Sequence, residues 1–65
     1  MYINLIGEMA KNGVKKKEIA KSLNITEKTI AAKISGKSPL YLKEAILIRN
    51  KFFPNCEMSY LFSEV

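Results

Sequence analysis

"KKKEIAKSLNITEKTIAAKISGK", residues 15–37, joins two helix-forming runs across a three-residue break, Asn24-Ile25-Thr26. Before the break, Ile19, Ala20 and Leu23 share one helical face; after it, Ile30 and Ile34 stand four apart and face inward together. Asn24 is, after glycine, the residue most tolerant of the left-handed backbone that ends a helix. Thr26 can cap the following helix through its hydroxyl, and Glu27 suits that helix's positive N-terminal end. Ala20 is small where a second helix would cross the first. Together these residues predict a helix-turn-helix over about 15–35, with Ile25 plugging the space between the helices. The break turns the N-terminal half of the second helix away from the body.

The rest of the chain reads as further helices. Apolar residues at 2, 5, 6 and 9 make 2–12 amphipathic, and Gly13 stops that helix. Gly36 ends the helix that begins after Thr26, and Ser38-Pro39 forms a turn. Residues 41–53 are helix-forming and apolar on nearly every side, up to Pro54. A last helix, about 57–62, carries Met58, Leu61 and Phe62. No strand-like alternation of useful length occurs. The expected fold is all-α, a compact five-helix single domain over 1–65. Tyr2, Ile6, Met9, Leu40, Leu42, Ala45, Ile48, Phe52 and Leu61 are the expected core. One buried stripe cannot absorb every apolar residue of 41–53 and beyond, so some of Ile46, Leu47, Phe53, Tyr60, Phe62 and Val65 should be exposed. A cluster near the C-terminus would be an interface, and Phe53, Tyr60, Phe62 and Val65 are the candidates.

Composition excludes several chemistries. Sixty-five residues allow one domain, burying roughly 60% of its unfolded surface. One cysteine and no histidine rule out an internal disulfide and a Cys/His zinc site. Cys56 reads as a small buried apolar residue in a reducing compartment. The start "MYINLIGEMAKNG" lacks the charged, then long apolar, pattern of a signal peptide, and no run approaches the ~18 apolar residues of a membrane span. A cytoplasmic, nucleoid-associated chain is expected, with no membrane partner. "GKS" at 36–38 is not a phosphate loop, because that motif needs a glycine where Ala31 stands and a strand before it. No acid–base spacing among the glutamates suggests catalysis, so neither enzymatic activity nor a cofactor is expected.

Charge is unevenly placed. The net charge is +5, yet residues 11–37 hold eight lysines and two glutamates, leaving the remainder at −1. Such concentration favours a polyanionic partner.

At these residues a resemblance becomes specific. "KKEIAKSLNITEKTIAAKISGK" resembles the helix-turn-helix of the Cro and lysogenic-repressor (XRE) family. "SPLYLKEAILIRNKFFPNCEMSYLF" is similar to the continuation of short phage or prophage regulators of the Gram-positive type. The likeness covers about residues 2–62 and implies a lambda-repressor-like domain. Four positions depart from the family pattern. Asn24 replaces a usual glycine. Lys15 stands where Ser or Thr commonly caps, so a frayed helix start is expected. Tyr41 sits where Thr would often cap. Lys33 occupies a place that is often aliphatic, so its stem should pack while its amine reaches solvent.

The resemblance places Glu27, Lys28 and Ala32 against base edges, with Thr26 and Ala31 on the same exposed half-helix. Their chemistry fits: lysine donates to guanine, glutamate accepts from cytosine N4, and a methyl meets the thymine methyl in a groove ~12 Å wide. Lys16, Lys17, Ser35, Lys37 and Ser38 flank that surface as candidate phosphate contacts. The resemblance also implies a homodimer on a double-stranded DNA operator, or pairing with another phage regulator. Three functions compete. The first is a sequence-specific transcriptional regulator acting by operator occupancy. The second is an antirepressor that binds a phage repressor rather than DNA. The third, a basic protein of membrane surfaces, would need a large exposed apolar face beside the lysines.

Overall fold

Three left-handed residues punctuate the chain. In the computed structural model, which describes residues 1–64, Gly13, Asn24 and Gly36 have φ of 67°, 58° and 91°. They close the first three of five helices: α1 (Ile3–Asn12), α2 (Lys16–Leu23), α3 (Glu27–Ser35), α4 (Leu42–Phe52) and α5 (Met58–Leu61). No strand is present among the described residues. Asn24 is the one non-glycine residue with positive φ among them. Its N–H donates to Lys21 O at 3.2 Å, and the Ile25 N–H reaches Ala20 O at 3.0 Å, so the turn closes on the end of α2. Gly36 has a second reason to lack a side chain: a Cβ there would stand 3.2 Å from the Met1 backbone nitrogen.

Helix starts follow two designs. At α3 the Thr26 Oγ1 accepts the Thr29 N–H at 3.1 Å, as its sequence position predicts. Lys15 and Tyr41 have no side-chain acceptor suited to capping. Instead, the carboxylates of Glu18 and Glu44, three residues on, accept the Lys15 and Tyr41 backbone N–H at 2.9 and 3.0 Å. That is the returning half of a capping box. It anchors α2 in place of the frayed start expected from Lys15.

The core draws on every helix. Leu5, Ile19, Ile30, Ile34, Ile48 and Leu61 are fully buried. Tyr2, Met9, Ala20 and Phe53 complete the cluster, with Leu23, Ile25, Leu40, Phe52 and Phe62 packed partly against it. Tyr2 and Phe62 meet edge to face at 5.9 Å. The Asn4 amide donates to Tyr60 O at 2.8 Å, and the Tyr60 hydroxyl donates to Glu8 at 2.9 Å. These bonds fasten α5 to α1.

Several core expectations are corrected. Ile6 is exposed because α1 turns Tyr2, Leu5 and Met9 inward, leaving position 6 beside exposed Gly7 and Ala10. Leu42, 71% exposed, lies in the first turn of α4, before Ala45, that helix's first buried residue. Phe53, an expected interface residue, is buried at 3% exposure. The backbone leaves the helix there (φ −136°, ψ 58°) with its N–H still on Arg49 O. Its partner Phe52 is the half-buried one. Phe62 is also half-buried, Tyr60 is exposed, and Val65 lies outside the described residues. Cys56 is half-buried rather than buried; burial pushes its thiol pKa up, and the neighbouring Glu8 carboxylate adds to this.

Candidate nucleic-acid interface

On α3, Lys28, Ala31, Ala32 and Ser35 follow the spacing i, i+3, i+4, i+7 and so form one stripe. Ile30, Lys33 and Ile34 are the residues this helix buries. The outward stripe lines an open concavity completed by Lys16, from the first turn of α2, and Lys37, just past the end of α3. Three lysines from three separate segments thus converge around two alanine methyls. All three are exposed, and none has a carboxylate within ion-pair distance among the described residues.

The structure brings together Lys28, Ala31 and Ala32, expected at bases, with Lys16, Ser35 and Lys37, expected at phosphates. Thr26, Glu27, Lys17 and Ser38 do not line the concavity. Glu27 and Lys17 are exposed in the first turns of their helices. The Thr26 hydroxyl is engaged: it accepts from the Thr29 N–H and shares a hydrogen bond of 2.8 Å with the Thr29 hydroxyl. Ser35 donates its hydroxyl to Ala32 O at 3.1 Å. The same carbonyl accepts the N–H groups of Lys37 at 2.9 Å and of half-buried Ser38 at 3.2 Å. These polar groups close the end of α3. The donors left open toward the concavity are the lysine amines.

Lys33 contradicts its sequence reading. It is buried at 7% exposure, and its amine turns onto protein groups instead of projecting outward. Nζ donates to Pro39 O at 2.9 Å and to Glu44 Oε1 at 3.0 Å, and it lies 4.6 Å from the centre of the Tyr41 ring. Burial pushes the Glu44 pKa up, but the Tyr41 N–H and the Lys33 ammonium outweigh it and hold the carboxyl below its ordinary value. Lys33 and Glu44 cancel, so the other seven lysines of 11–37 stay exposed against Glu18 and Glu27. That is the whole +5 of the chain. Sequence reasoning missed Glu44 and Tyr41 as partners; the one available signal was a lysine on the inward side of α3, three residues after Ile30 and beside Ile34.

Among the described residues, no helix is long and apolar enough to cross a membrane, and no group of three acidic, cysteine or histidine residues could hold a metal. No protein-family model, curated protein or solved structure matches the chain.

Proposed function

We propose that the chain is a sequence-specific regulator of the Cro/repressor kind that binds double-stranded DNA and acts by occupying an operator. The observation that carries this reading is the concavity on the outward face of α3, where Lys16, Lys28 and Lys37 converge without carboxylate partners. Unpartnered amines around an apolar floor suit a polyanion whose interior edges carry both acceptors and methyl groups. With α3 in the major groove, Lys28 donates to guanine O6 or N7. Ala31 and Ala32 meet a thymine methyl, and Glu27 accepts from cytosine N4. Lys16, Lys17 and Lys37 reach phosphates and set the register. Occupancy excludes polymerase; the reading requires no catalysis or cofactor and places the protein in the cytoplasm on the nucleoid.

A protomer 25 × 22 × 21 Å across lets two copies stand side by side with their α3 helices about one DNA turn, ~34 Å, apart. Among the described residues, Tyr60 and the half-buried Phe62 are what remains of the expected dimer surface. The antirepressor reading draws on a different feature: α4 exposes Leu42, Ile46 and Leu47, apolar side chains that a partner repressor could cover.

Selection of bound sequences from a random DNA pool tests the two, followed by gel shift of the DNA flanking the chain's own coding region with nonspecific competitor. A shared, enriched motif is the expected result. If the folded protein enriches nothing at moderate salt, the DNA-reading proposal fails and partner binding replaces it.

A further inference from the structure

The buried pair Lys33–Glu44 sits behind the concavity, and its partners are not those of a simple core contact. The Lys33 ammonium holds Pro39 O and Glu44 Oε1 and stands over Tyr41. The same Oε1 accepts the Tyr41 N–H at the start of α4. One ion pair therefore ties α3, the connection 36–41 and α4 together. That connection carries Lys37, one of the three concavity lysines. Its near end is held by the Lys37 and Ser38 N–H groups on Ala32 O, and its far end by Lys33 on Pro39.

Stability alone does not account for the pair. Desolvating two charges largely offsets their attraction, and an apolar pair of similar volume is often as stable or more so. An aliphatic residue at position 33 would fill the same space. It could not hold the Pro39 carbonyl, so the connection would keep only its near anchor on Ala32 O. What the pair supplies is a second anchor, at Pro39, two residues past the Lys37 N–H bond to Ala32 O, which limits how far the segment carrying Lys37 can swing relative to Lys28 and Lys16.

We propose that Lys33 and Glu44 are positioning residues for DNA binding: without touching DNA, they hold Lys37 where it meets a phosphate. The inference rests on the DNA-binding reading above. It makes the pair matter for affinity toward every sequence alike, and not for base preference.

The test compares wild type with Lys33→Met/Glu44→Leu, Lys37→Ala and the triple variant. Thermal unfolding, DNA affinity over a salt series and the selected motif are measured for each. The double variant removes the pair and also the Glu44 acceptor at the start of α4, so it should melt somewhat below wild type while remaining folded, and it should keep the motif. One phosphate contact is worth a factor of about five at ~0.15 M salt, so binding should weaken by that factor per protomer, with a log–log salt slope flatter by about one. Adding Lys37→Ala to the double variant should then change nothing, because the contact is already lost. Lys33→Met/Glu44→Gln, which leaves a neutral side-chain acceptor for the Tyr41 N–H and no unpaired buried charge, gives the same comparison if the first double variant does not fold. Wild-type affinity and slope in a folded pair variant, with Lys37→Ala still weakening binding, overturn the inference alone. So does independent addition of the two effects in the triple variant. Wild-type protein with no salt-dependent DNA binding overturns the functional reading, and this inference with it.

Discussion

Lys28 and Lys33 stand five residues apart on one nine-residue helix and have opposite surroundings. Lys28 projects from the outward stripe of α3 into the concavity with no carboxylate partner. Lys33, on the buried side, has a carbonyl, a carboxylate and an aromatic ring around its amine. The comparison separates two uses of one residue type. An exposed, unpartnered lysine keeps its charge available for a ligand, whereas a buried one must be matched by the fold itself. Truncating the buried apolar side chains of α3, Ile30 and Ile34, should therefore lower stability, whereas truncating its outward side chains should alter binding.

The largest effect belongs to the buried face. Ile30→Ala removes a fully buried side chain and should cost ~2–5 kcal/mol, read from the denaturant midpoint. A cost under ~1 kcal/mol would mean that the α2–α3 core is looser than its burial indicates. On the outward face, Lys28→Ala should change stability by under ~0.5 kcal/mol. Its effect should appear in binding instead, as ~1–3 kcal/mol at one or two base pairs in the selected motif. Weakening spread evenly over all sequences would reassign Lys28 to phosphate contact.

Salt dependence sharpens the count of contacts. With the Ser35 hydroxyl and the Lys37 and Ser38 amides engaged by Ala32 O, Lys16, Lys17 and Lys37 are the phosphate contacts left. Three per protomer give a dimer a log–log slope of about −5. Lys17→Ala should flatten it by about one per protomer. A slope near zero on the best selected site would remove the electrostatic basis of the comparison.

The smallest effect is one of pH. Glu44 is held below its ordinary value near 4.5, so the folded chain binds fewer protons there than the unfolded chain. Stability from this group is present above about pH 4.5 and is lost as pH falls through the lower folded value. Unfolding curves across that acid window should show the decline in wild type. Glu44→Gln should flatten it, and an unchanged pH profile would detach the Lys33 pair from stability.

Local chemistry made much of the fold legible. Gly13, Asn24 and Gly36 mark helix ends because few residues accept a left-handed backbone, and each stands there. The cap at Thr26 and the packing of Ile25 beneath the turn follow from spacing alone. Less of the candidate site was readable. Thr26 and Ser35 carry hydroxyls suited to DNA, yet both satisfy backbone groups at the ends of α3. Periodicity could not distinguish Phe52 from Phe53, because the helix ends between them and the chain's direction decides which ring goes inward.

By itself the sequence determined the all-α class, the helix boundaries and the lysine-rich segment, since these depend on interactions within a few residues. Tertiary structure alone decided which lysines remain free. Lys33 meets Glu44 eleven residues away and Pro39 and Tyr41 across a turn, contacts that no local pattern encodes. It also decided that Lys16, Lys28 and Lys37 share one concavity, because only the packing of α2 against α3 brings those three segments together.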